Sequence, residues 1–214
     1  GNDDNWNVKY DPTTVTLTLK NANISGSFHQ YDNPYTAGIY AQGKSNQPVA
    51  LTIELIGTNT ITGTYGIFLN AEINADSNGT DASLTITGEN NGSLEVSGSN
   101  HGIFVKSGTG NASLNIEKAT VTSSTDGEYA AGVCVQSGAS SKDSPKLSLA
   151  VNGGSLTTSD SASGEGIQFI VGAYVATSAT TSLTVSENAI VDARNGGISA
   201  SRTSETLPTP TPNR

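Results

Sequence analysis

Apolar residues alternate with period two in short blocks along the chain. Leu17 and Leu19, Ile53 and Leu55, Leu84 and Ile86, Leu114 and Ile116, Leu149 and Val151, and Leu183 and Val185 each bracket one residue. Period two predicts a strand with one face buried. A shorter apolar point follows each block, at Ile24, Ile61, Leu94 with Val96, Val121, Leu156 and Val191. Each unit then closes on a glycine, an Ile or Val, one variable residue and another apolar residue. These elements are Gly38-Ile39-Tyr40-Ala41, Gly66-Ile67-Phe68-Leu69, Gly102-Ile103-Phe104-Val105, Gly132-Val133-Cys134-Val135, Gly166-Ile167-Gln168-Phe169 and Gly197-Ile198-Ser199-Ala200. Three strands per unit are expected, with each glycine giving the backbone freedom for a corner.

The six glycines lie 28 to 36 residues apart, the size of a unit that buries its apolar face only by stacking on its neighbours. Sustained 3.6-residue periodicity is missing, while Thr, Val, Ile and Gly favour pleated segments and turns. A propeller blade would need a four-strand pattern and about 40 residues. The expected fold is therefore all-β: a single-stranded parallel β-helix, or β-solenoid, of about six turns with three strands per turn. Right-handed winding is expected from crossover chirality. Residues 1–14, with Trp6, Val8 and Tyr10, read as an N-terminal cap, and Trp6 as part of its packing. Residues 15–200 read as the helix. Residues 201–214, where Pro208, Pro210 and Pro212 alternate with Thr and Asn, read as a linker to a neighbouring domain. Insertions are expected in loops at 25–37, 70–82, 136–145 and 170–182.

Charge narrows the partners. Ten Lys and Arg against nineteen Asp and Glu give a formal net charge of −9, which disfavours nucleic acid and anionic membranes. No apolar run is long enough to insert in a bilayer. Charged residues make up only 14% of the chain, so hydroxyls and amides carry the surface. The single Cys134 excludes an internal disulfide.

The ladders Val15-Thr16-Leu17-Thr18-Leu19, preceded by Trp6-Asn7-Val8-Lys9-Tyr10-Asp11, then Leu51-Thr52-Ile53-Glu54-Leu55 running to Ile61, then Leu84-Thr85-Ile86-Thr87-Gly88, carry a resemblance. They resemble parallel β-helix domains of secreted and surface-anchored bacterial proteins, often adhesin-like, grouped with a carbohydrate-binding β-helix family. The resemblance spans about Trp6 to Ala200. It implies a secreted or cell-surface location and a polysaccharide or cell-surface glycan as partner. It also admits calcium as the one cofactor, near Asp126 and Glu128 or near Asp160 and Glu165; solvated loop charge is the competing reading of those acids.

Catalysis makes demands on the outward residues that binding does not. A lyase needs Arg or Lys beside an acidic cluster, and a hydrolase needs paired carboxylates. Arg194, Arg202, Lys106 and Lys118 have no acidic cluster in phase, and the outward positions of the first strand read Thr18, Glu54, Thr85, Asn115, Ala150 and Thr184. Asn100-His101-Gly102 resembles the His-Gly element of pectin hydrolases without their paired Asp residues. His29 and His101 both read as surface residues. No catalytic residue and no metal ligand is assigned.

The variable residue after each Ile or Val turns outward, giving the row Tyr40, Phe68, Phe104, Cys134, Gln168 and Ser199. Tyr35, Tyr65, His101 and Tyr129 stand just ahead of these strands. Aromatic rings suit stacking on sugars, so Tyr35, Tyr40, Tyr65, Phe68, His101, Phe104 and Tyr129 are the candidate carbohydrate-binding residues. The competing reading has long loops folding over Phe68 and Phe104. The expected function is non-catalytic binding of polysaccharide or surface adhesion. The alternatives are a structural spacer of a multidomain surface protein and a lyase-like enzyme.

Overall fold

The computed structural model describes residues 5–26, 28–29, 36–43, 47–71, 80–88, 92–128, 130–138, 144–160, 164–172, 178–194 and 196–202. Most of the expected loop insertions, and all of the expected linker at 201–214 but its first two residues, lie outside the described residues. The described residues hold strands and no helix. The first coil comprises β1 (Val8–Asp11), β2 (Thr16–Lys20), β3 (Asn23–Ser25), β4 (Phe28–His29) and β5 (Thr36–Gln42). Four turns follow: β6 (Val49–Ile56) with β7 (Thr58–Asn70), β8 (Ala82–Thr87) with β9 (Ser93–Ser107), β10 (Ala112–Thr125) with β11 (Ala131–Ser137), and β12 (Lys146–Asp160) with β13 (Glu165–Val171). A last coil holds β14 (Thr180–Ser186), β15 (Ile190–Ala193) and β16 (Ile198–Arg202).

Parallel pairing joins these coils into a β-solenoid. The first sheet runs β2-β6-β8-β10-β12-β14. The second joins β3, the early parts of β7 and β9, the late parts of β10 and β12, and β15. The third carries the Gly-Ile elements through β5, β7, β9, β11, β13 and β16. Long strands such as β7 and β9 turn the corner between second and third sheets without a break.

Aliphatic ladders fill the interior because the pleat sends every second residue inward. Ile53, Ile86, Ile116 and Val151 form one ladder, and Ile67, Ile103, Val133 and Ile167 another, all fully buried. Each such side chain stabilises the fold by about 1.5–3 kcal/mol. The expected turns, about six, resolve into four closed turns, β6 to β13, between two end coils. An end coil has a neighbour on one side only, so its inward residues stay partly wet. Leu183 is 36%, Val185 46% and Ile198 51% exposed.

The six glycines have a different cause from the one expected. Among them only Gly197 has a positive φ, 65°. A Cβ on Gly38 would strike Ile61, on Gly66 Val96, on Gly102 Ser123 and on Gly132 Thr158. Each of those residues is the inward one of the second sheet in the following coil. The glycines therefore make room for close approach of chain to side chain at the corner, and backbone freedom is secondary.

The segment expected to cap the column holds a reversed strand. β1 pairs antiparallel with β2, Val8 opposite Leu19 and Tyr10 opposite Leu17, and extends the first sheet by one strand. Val8 and Tyr10 share the phase of the core ladder but are 47% and 53% exposed, so the strand does not shield the column's end as expected. Behind it Tyr10, Val15, Leu17, Ile39, Val49 and Leu51 line an apolar mouth of about 640 Å³.

Candidate functional site

Phe68 pairs with Tyr40 and Phe104, Cys134 with Phe104 and Gln168, and Gln168 with Ser199, so the outward row is one register ladder. The middle of the row is closed off from solvent, while Tyr40, Gln168 and Ser199 are half-buried and Tyr40 lines the apolar mouth. Phe68, Phe104 and Tyr65 are each 7% exposed and Cys134 is fully buried. With Ala37 and Ala131 they make a second apolar cluster, against which Tyr40 and Ile170 pack. Parallel strands place equal positions about 4.8 Å apart, which suits ring stacking. Phe68 and Phe104 stack at 4.9 Å with planes 12° apart, and Tyr65 stacks on Phe68 at 4.8 Å. Of the rings expected as a sugar platform, Tyr65, Phe68 and Phe104 pack on one another. Tyr35 and Tyr129 lie outside the described residues; the register sets Ala37 beside Tyr65 and Ala131 beside His101.

His101 also belongs inside, contrary to the surface position expected for it. It is 8% exposed, and its Nδ1 accepts a hydrogen bond from the Ala131 N–H at 2.9 Å. The Ala131 carbonyl lies farther, at 3.3 Å. The shorter contact assigns the proton to Nε2. Burial lowers the His101 pKa from 6.5 to about 4, against a small opposing effect of the Ala131 backbone. The Cys134 thiol is pushed well up, first by burial and then by the Glu165 charge. A neutral imidazole and a protonated thiol thus sit buried in the aromatic cluster. The side chain of His29 is outside the described residues.

The open polar surface is the outer face of the first sheet. Its rows differ from the one expected, because the true register shifts two residues between β6 and β8. One row reads Asp11, Thr16, Thr52, Thr85 and Asn115. The other reads Lys9, Thr18, Glu54, Thr87 and Glu117. At the β1 end these rows meet Trp6 in a groove of about 320 Å³. Trp6, Lys9, Asp11, Thr14, Thr18 and Glu54 are among its walls.

Local contacts hold that groove. The Lys20 N–H donates to the Asn7 carbonyl at 2.8 Å, and Asn7 Nδ2 donates to the Lys20 carbonyl at 2.9 Å, which pins the residue after Trp6. The ammonium groups of Lys20 and Lys9 lie 5.5 and 6.0 Å from the centre of the indole, within cation–π range. Thr18 Oγ1 donates to Glu54 Oε2 at 3.0 Å. Asp11 accepts the Thr13 N–H at 2.8 Å across the hairpin turn, and that bond holds its pKa below the usual carboxylate value. Trp6 was assigned to cap packing because it precedes the repeats. Its partners Thr18 and Glu54 come together only through strand register.

Elsewhere the chemistry is thin. Asp126 shares a small corner groove with Ser97, Ser99, Ser124 and Thr125. One carboxylate among hydroxyls falls short of the roughly six to eight oxygen ligands a calcium ion takes. No group of three or more His, Cys, Asp or Glu comes together among the described residues, and the Asp160 side chain lies outside them. Arg194 is committed to Asp192 at 2.7 Å.

The fold and this face define a parallel β-solenoid with a polar groove at its β1 end. Comparison with known proteins found no matching family model, no matching curated protein and no matching solved structure.

Proposed function

We propose that the chain is a non-catalytic extracellular module that binds polysaccharide through the outer face of its first sheet. The observation that carries this reading is the Trp6 groove: an indole beside threonine hydroxyls and carboxylates, fixed on a rigid sheet. An aromatic face with a few convergent polar groups is the usual chemistry of sugar recognition. The extracellular and adhesin-like part of the reading rests on the resemblance of the ladder motifs. Calcium enters only as a condition to vary.

The test is a glycan array followed by calorimetry, with and without calcium. Trp6→Ala is expected to weaken binding by about tenfold or more, the scale of losing an aromatic anchor. Binding of no glycan in either condition would sink the proposal.

A spacer within a multidomain surface protein is the second reading. It is favoured by the apolar residues left at the last coil, Leu183, Val185, Ile190 and Ile198, which fit a neighbouring module of the same polypeptide. A spacer binds no glycan and gains stability when that neighbour is attached.

A further inference from the structure

Resting on the polysaccharide reading, we infer that the ligand is an uncharged, extended chain lying parallel to the solenoid axis. It crosses β1, β2, β6, β8 and β10 with about one sugar ring per strand, and Trp6 stacks on the ring at the β1 end.

Direction follows from the rows. Hydroxyl, amide or charged groups continue through both rows on five consecutive strands. On the sixth strand Ala150 takes the place next to Asn115 and the first row loses its polar group. Neighbouring strands are about 4.8 Å apart, close to the advance of one pyranose ring in an extended chain, so each rung meets the same part of successive sugars. Across the rows, in the strand direction, no second aromatic residue lines the groove among the described residues.

Preorganisation supports the same path. The face is tied to the hydrogen-bonded ladder, and Thr18 to Glu54 and Ser113 to Ser83 are bonded from rung to rung at 3.0 Å each. Little freedom is lost when a ligand is added. Charge then selects the class. Asp11, Glu54 and Glu117 lie in the rows with Lys9, and Lys20 stands beside Trp6, in a chain of formal net charge −9. Beyond the lysines at the Trp6 end, a uronate or sulfated chain would meet repulsion from Glu54 on β6 and Glu117 on β10.

Calorimetry with cello-, xylo- and manno-oligosaccharides of two to six units, and with oligogalacturonates of the same lengths, tests this inference. For the neutral series that binds, affinity is expected to rise with each ring to about five and then level. Asn115→Ala with Glu117→Ala, three strands from β2, is expected to weaken five- and six-ring ligands about tenfold and leave two-ring ligands unchanged. Equal affinity for two and six rings, equal loss for short and long ligands in the variant, or tighter binding of oligogalacturonates would each overturn the inference. Those results leave the polysaccharide reading standing if Trp6→Ala still weakens binding. Failure of every saccharide to bind overturns both.

Discussion

Gly66 backs onto Val96: a Cβ at Gly66 would overlap the Cγ2 methyl of Val96 in the next coil. The same relation links Gly38 to Ile61 and Gly132 to Thr158, so one steric contact, repeated once per turn, sets the spacing of the sequence motif. Gly66→Ala is expected to destabilise the protein by about 1–3 kcal/mol through overpacking. Gly197→Ala meets nothing within 4 Å but must adopt a φ of 65°, and should cost about 1 kcal/mol. Urea denaturation of the two variants checks the order; a larger loss at Gly197 would contradict the steric account.

The aromatic stack makes a separate prediction about the aromatic candidate residues. Phe104→Ala removes a ring that touches Phe68, Tyr65 and His101 and is expected to cost about 3–5 kcal/mol. Its folded fraction should bind glycan like the parent. Cys134 reports on the same cluster: its thiol should resist a disulfide reagent in the native protein and react in Phe104→Ala. A loss of glycan affinity with unchanged stability would return these rings to the binding surface.

Two buried hydroxyls in one ladder should behave in opposite ways. Ser123 Oγ donates to the Gly132 carbonyl at 2.6 Å, whereas Thr158 Oγ1 is buried with no hydrogen-bond partner. Thr158→Val keeps the volume and removes the unsatisfied group, so it should stabilise by about 1 kcal/mol. Ser123→Ala should destabilise by about 1 kcal/mol and leave the Gly132 carbonyl short of a partner. Thermal unfolding of both variants decides the matter, and equal signs would refute it.

His101 gives the fold a pH dependence. Its folded pKa, about 4, lies below the unfolded value of 6.5, so between these values the unfolded chain binds the extra proton. Its contribution to stability is complete above pH 6.5, declines as pH falls through that window and is gone near pH 4, a total of about 3 kcal/mol. Denaturation at pH 7 and pH 5 should show the decline in the parent. His101→Asn, which keeps an acceptor without titrating, should flatten it. A parent protein equally stable at both pH values would count against a buried neutral imidazole.

The repeat was legible in the sequence because Ile53, Ile86 and Ile116, like Ile67 and Ile103, must recur at fixed phase for a column to pack. Alternation also located Tyr40, Phe68 and Phe104 on the outer side of their sheet. It could not say whether that side is wet, since the period of two reports direction and not cover. The outer face of the first sheet was misread for a related reason. Aligning Thr18 and Glu54 with Thr85 and Asn115 slips by two residues, which preserves the inward phase and gives no warning in the apolar pattern. Only the backbone pairing of Glu54 with Thr87, and Thr87 with Glu117, brings the acidic row into view beside Trp6.

The reversed strand β1 gives the column two unlike ends. It is short, carries Lys9 and Asp11, and stops at Pro12, features that discourage another chain from adding at a sheet edge. β14 at the other end keeps the parallel sense and its alternating apolar residues. Strand addition to the first sheet therefore meets unlike edges: a reversed, charged strand at one end and a parallel apolar one at the other. Pairing of a partly unfolded chain onto the first sheet is favoured at β14, and a charge at Val185 should weaken it there.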